Sequence, residues 1–172
     1  LPGWSGTLLP STTDPFVHAQ GQEFVMKHMI ATAICLLGLT GAAMAANFEV
    51  LMLNKGTDGK TMGFSPSYLR VEPGDTVTFI PVDKGHNAET ILGMIPDAAA
   101  TWKGKLNEEF TVTLTEEGLY AYKCQPHFAA GMVGLIQVGY DKSNLTQLMN
   151  ERLPARALAR MAELFAKTSP RP

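Results

Sequence analysis

Between residues 48 and 139 the chain is cut into short stretches of strand-like residues by turn signals at regular intervals. This is the pattern of an all-β sandwich or barrel, and it leaves no room for a helical core. Phe48–Leu53 opens the series and Lys55–Lys60 turns it. Tyr68–Val71 is stopped by Glu72-Pro73-Gly74-Asp75, and Thr76–Val82 follows with Val77 and Phe79 on one face. Phe110–Thr115 alternates apolar residues with threonine, as a half-buried antiparallel strand does. Glu117-Gly118 leads into Leu119–Cys124, and Val133–Val138 closes the series. Asp58–Gly63 reads as part of a turn. The segment 83–108 is a long, less regular connection, the kind that is functional or carries local helix.

After Gly139 the period changes to that of a helix. Leu145, Leu148 and Met149 fall at helical spacing, and Pro154 suits the first residue of a second helix. There Ala157, Leu158, Met161, Leu164 and Phe165 trace an apolar stripe, opposite Arg156, Arg160, Glu163 and Lys167. Charges of both signs on the polar face point to helices packed on the β domain rather than set in a membrane.

Residues 26–45 have the build of a secretory signal: a basic start at Met26-Lys27-His28, an apolar run from Ile30 to Leu39, and a small-x-small site at Ala43-Met44-Ala45. The run is too short for a membrane anchor. Residues 1–25 are expected to be an upstream translated or disordered extension. The sequence therefore divides into 1–25, the export segment 26–45, a β domain over 46–140, and a helical segment over 141–172. The net charge of −2 lacks the basic excess of a nucleic-acid binder.

Loss of residues 1–45 would remove Cys35, His18 and His28, leaving Cys124 as the only cysteine and His86 and His127 as the only histidines. An exported chain with one unpaired thiol needs a reason to keep it. The reason lies in Cys124-Gln125-Pro126-His127-Phe128-Ala129-Ala130-Gly131-Met132, a C-x2-H-x4-M loop between two strands, with His86 as a distant partner. One thiolate, two imidazoles and a thioether are the donors of a trigonal copper site with a weak axial methionine. Structural zinc favours paired ligand spacings without methionine, and a c-type haem needs C-x-x-C-H, which is absent. A thiol hydrolase would need more than the residue types present.

Beyond this loop, the stretches Met52-Leu53-Asn54-Lys55-Gly56, Pro73-Gly74-Asp75-Thr76-Val77 and Pro81-Val82-Asp83-Lys84-Gly85-His86-Asn87 closely resemble the pseudoazurins, periplasmic blue copper proteins of the cupredoxin class. The resemblance spans residues 46–172, both C-terminal helices included. It implies a Greek-key two-sheet β-sandwich of cupredoxin type with two C-terminal α-helices. It also implies one copper per chain, held by His86, Cys124, His127 and Met132. Around these, Asn87 is expected to place a donor on the Cys124 sulfur, Pro126 to withhold one, and the Gly85 carbonyl to approach the axial side. The implied role is a monomeric periplasmic electron shuttle, not an enzyme, that hands electrons to a copper nitrite reductase in denitrification, or exchanges them with a cytochrome. It would bind no nucleic acid and, after signal cleavage, no membrane. Gly85, Met62, Pro126, Phe128, Ala129, Ala130 and Met132 would form an apolar rim around His127, within a collar of Lys55, Lys84, Lys103, Lys105 and Lys123. A copper storage or delivery protein is the alternative reading.

Overall fold

In the computed structural model, residues 3 and 44–168 are described. The expected extension and export segment lie almost wholly outside the described residues. From Asn47 the chain forms eight strands and two helices: β1 (Asn47–Lys55), β2 (Thr61–Ser65), β3 (Tyr68–Val71), β4 (Thr76–Pro81), β5 (Glu89–Thr90), β6 (Phe110–Thr113), β7 (Gly118–Lys123), β8 (Val133–Val138), α1 (Leu145–Asn150) and α2 (Ala155–Phe165). They make two four-stranded mixed sheets, ordered β2-β1-β4-β6 and β3-β8-β7-β5. The pairs β1–β4 and β3–β8 are parallel and the others antiparallel. No helix among the described residues is long and apolar enough to cross a membrane. The expected two-sheet β fold with two C-terminal helices is the observed one.

The two sheets differ in how much of them is covered. In the first sheet, β6 alternates half-buried Phe110 and Val112 with exposed Thr111 and Thr113, so one face meets solvent. In the second, every residue of β8 is buried and all of β7 except Lys123. Tyr120 and Tyr122 of β7, and Cys124 just beyond it, join Ile136 and Val138 of β8 in the core between the sheets, with Val50, Phe64, Val77 and Phe79. Leu119, Ala121, Val133 and Leu135 point the other way, into a second core closed by Leu148, Ala157, Met161 and Leu164 of the helices. The helices thus give the second sheet a dry outer face. Gly134 is what lets β7 and β8 lie together here, because a Cβ there would sit 2.2 Å from the Tyr122 ring.

Four local differences from the sequence reading have physical causes. Thr61–Ser65 is a strand paired with β1, not the tail of a turn; Met62 takes a left-handed φ of 54°, and this break hides the extended run. The connection 83–108 contains no helix but the two-residue β5 and a bridge between Glu89 and Lys103. Pro154 is the N-cap of α2 rather than its first residue. Leu158 and Met149 stay exposed, since the buried arc of each helix is narrower than its apolar stripe.

Candidate metal centre

Cys124 follows the last residue of β7 and so inherits that strand's orientation into the inter-sheet core. His86 reaches it through β5, whose Glu89 and Thr90 pair with Lys123 and Tyr122 of β7. The loop beyond Cys124 folds on itself. The N–H of His127 donates to the Cys124 carbonyl, those of Ala130 and Met132 donate to the His127 carbonyl, and the Cys124 N–H donates to the Met132 carbonyl at 3.0 Å. These bonds place His127 over Cys124 and return Met132 to the start of β8.

The outcome is a small triangle of donor atoms. His127 Nδ1 lies 3.1 Å from His86 Nδ1, and Cys124 Sγ lies 3.7 Å from the first histidine and 3.5 Å from the second. The point equidistant from all three lies about 2 Å from each, a metal–imidazole bond length and slightly short of a metal–thiolate one. Among the described residues no other group of three or more His, Cys, Asp or Glu side chains is gathered in this way. His86, Cys124 and Met132 are fully buried, whereas His127 keeps a partly exposed edge.

The surroundings prepare these donors. His86 Nε2–H donates to Asn54 Oδ1 at 3.1 Å, which leaves the Nδ1 lone pair facing the thiol. Burial lowers the His86 pKa below 6.5, helped by the neighbouring His127 and opposed by Asp83, so the ring is held neutral. Burial pushes the Cys124 thiol up; backbone N–H groups of Asn87 and His127 pull it back as donors to the sulfur, and Glu89 opposes them. A metal ion that neutralises the thiolate removes the first of these costs. Two imidazoles and one cysteine sulfur, with a buried methionine and no carboxylate in the triangle, form a soft donor set that fits copper.

The scan of family models matches residues 50–139 to the copper binding proteins of the plastocyanin/azurin family. Pseudoazurin from Paracoccus pantotrophus is 47% identical over 137 residues, covering 79% of this chain and 94% of its own length. The chain belongs to the pseudoazurin family. A putative pseudoazurin from Rhizobium leguminosarum is 45% identical over 142 residues, covering 83% of this chain and 92% of its own. The crystal structure of pseudoazurin from Methylobacterium extorquens superposes with a TM-score of 0.69 at 41% identity, covering 72% of this chain and 99% of that one. Copper is accordingly the cofactor.

The other expected residues fall around this centre in different ways. Asn87 is buried, accepts the Gln125 N–H on Oδ1 at 2.8 Å and donates through Nδ2 to the Gly104 carbonyl at 3.1 Å. It thereby ties the Cys124–Met132 loop to the 83–108 connection. Gly85 has φ 94°, and a Cβ there would lie 3.9 Å from the His127 ring. Pro126 is exposed on the loop. The lysines are not alike. Lys55 and Lys84 are exposed, with no carboxylate in ion-pair range among the described residues. Lys103 and Lys123 share Glu89 at 3.8 and 3.4 Å, and Lys105 pairs with Glu108 at 3.4 Å. Lys123 is only 20% exposed, and its ammonium lies 4.7 Å from the centre of the Phe128 ring.

Sequence reasoning gave no role to Asn54, Glu89, Asn107 or Arg160. Asn107 Oδ1 accepts the Gly85 N–H and the Asn107 N–H donates to the His86 carbonyl, holding the backbone on both sides of Gly85. The spacing of these residues from the ligands carries no local signal; only the fold brings them there.

Proposed function

We propose that this chain is a monomeric, periplasmic one-electron carrier that supplies a copper nitrite reductase, or exchanges electrons with a cytochrome, and that His86, Cys124, His127 and Met132 hold its copper. The observation that carries this reading is the tight His86–Cys124–His127 triangle with one partly exposed edge at His127. Copper, when bound, supplies the one-electron Cu(I)/Cu(II) couple.

The residues do the rest. Burial of His86, Cys124 and Met132 keeps water from the donors, and the bonds to Asn54, Asn87 and Asn107 hold them in place whether or not charge is present. His127 offers the route out, because its edge is the part of the triangle nearest solvent. Apolar Met62, Phe128 and Ala130 are half-buried and Ala129 exposed, which suits a small contact face for brief encounters. Lys55 and Lys84 stand next to Asn54 and Gly85 in sequence, so their charges would sit beside that face and steer an acidic partner. The export segment at 26–45 supports the periplasm.

Voltammetry of the copper-loaded protein tests this against storage or delivery. The carrier reading expects one reversible one-electron wave with copper retained in both oxidation states. A colourless protein that keeps Cu(I) and surrenders it to a chelator on oxidation would overturn it.

A further inference from the structure

The ligand loop is held from outside by α2. Arg160 of that helix donates through Nη1 to the Met62 carbonyl at 2.7 Å and to the Gly131 carbonyl at 2.9 Å, and through Nη2 to the Thr61 carbonyl at 2.8 Å. Three carbonyls from two separate segments thus converge on one guanidinium. Gly131 directly precedes Met132, and a Cβ on Gly131 would come within 3.0 Å of the Arg156 carbonyl oxygen, so the loop is pressed onto the helix backbone at this point. Met62 holds the left-handed φ of 54° that is uncommon for a residue with a side chain. Its carbonyl is where Arg160 grips it.

We propose that Arg160 is a positioning residue for the Met132 side of the metal centre. Resting on the reading of Met132 as a ligand, it fixes the Gly131 carbonyl, hence the start of the Met132 residue, and it locks Met62 in the left-handed turn beside the loop. The planar fork of a guanidinium can serve three carbonyls at once, and the single ammonium of lysine cannot reproduce that geometry. Arg160 is therefore more than a staple for the helix. Its side chain links the C-terminal helix to backbone carbonyls beside the metal site.

The test compares Arg160→Ala and Arg160→Lys with Leu164→Ala, which removes buried apolar packing from the same helix without touching the three carbonyls. Arg160→Ala should change the intensity ratio of the visible charge-transfer bands and the EPR rhombicity of the Cu(II) protein, with Arg160→Lys intermediate. Leu164→Ala should lower the melting temperature and leave both spectra as they were. Amide exchange at Met132, whose N–H donates to His127, should speed up by about tenfold in Arg160→Ala, the factor lost with one charge-assisted hydrogen bond. That last readout holds whether or not Met132 binds the metal, and the spectra hold only if it does. Unchanged exchange at Met132 would overturn the positioning role. Faster exchange with unchanged spectra would keep the clamp and remove Met132 from the ligand set. If Arg160→Ala does not fold, Arg160→Lys alone decides: wild-type spectra and wild-type exchange would refute the proposal.

Discussion

The two histidines arrive at the metal centre by opposite means. His127 sits in a nine-residue loop whose order comes from its own backbone bonds, from Cys124 to Met132. His86 sits in a long connection with no helix and only a two-residue strand, and its order is borrowed from Asn54 on β1 and from Gly104 and Asn107 at the far end of the same connection. The difference is also one of exposure, since His86 is buried and His127 is not. A local loop can be rebuilt around an exchangeable ligand. A borrowed one cannot be changed without losing its distant partners.

The sharpest way to break this contrast is to delete each ring. Both His127→Gly and His86→Gly should lose most of the visible colour of the copper protein. Millimolar imidazole should restore it in His127→Gly, because solvent already reaches that position, and should fail in His86→Gly. Equal rescue of the two would remove the distinction.

A smaller effect is expected one shell out. Asn54→Leu removes the acceptor for His86 Nε2–H and should cost about 10–100-fold in copper affinity, the usual range for such partners. Copper competition with a chelator of known affinity measures this, and an unchanged affinity would mean that the connection holds His86 without help.

The metal-free protein should respond to pH through the same histidine. The folded-state pKa of His86 lies below its ordinary value of 6.5, because of burial first and His127 second. Below that pH the unfolded chain binds the proton more readily than the folded one, so stability is present above about 6.5 and is lost as pH falls beneath it. Melting temperatures of the apo protein should decline over that acidic range. The loss should be smaller in His86→Gln, which has no proton to take up, and an identical pH profile in the variant would contradict the assignment.

The smallest effect concerns the lysines, which divide along the same line. Lys84, on the His86 side, is exposed and has no ion pair among the described residues, while Lys123, on the loop side, is held by Glu89 and lies over Phe128. Lys84→Ala should slow association with an acidic redox partner several-fold at low salt, and the difference should shrink near 0.1 M, where the Debye length is about 10 Å. Lys123→Ala should act less through charge than through the lost support of Phe128. Identical salt dependences for the two variants would show that ion pairing does not separate them.

This contrast also separates the residues whose place is legible in the sequence from those whose place is not. The Cys124–Met132 loop was legible because its donors are spaced locally, and β6 because one sheet face meets solvent. Strand β8 shows no alternation, since the helices cover its outer face, yet its apolar residues from Val133 to Val138 still read as the strand that closes the series. Strand β2 was hidden by the left-handed Met62. Asn54 lies 32 residues from His86 and is exposed on β1, so no spacing rule connects them. Arg160 lies 98 residues from Met62, and in the helix pattern it looked like one more charge on a solvated face.

The proposed copper site stands on the thiolate of Cys124, gathered with two imidazoles. Adding one equivalent of Cu(II) to the protein and to Cys124→Ala, and recording the visible spectrum, tests it directly. An intense blue or green charge-transfer absorption is expected in the first and its complete loss in the second, with both retaining the same far-ultraviolet circular dichroism. A Cys124→Ala protein that folds and keeps the intense band would contradict it.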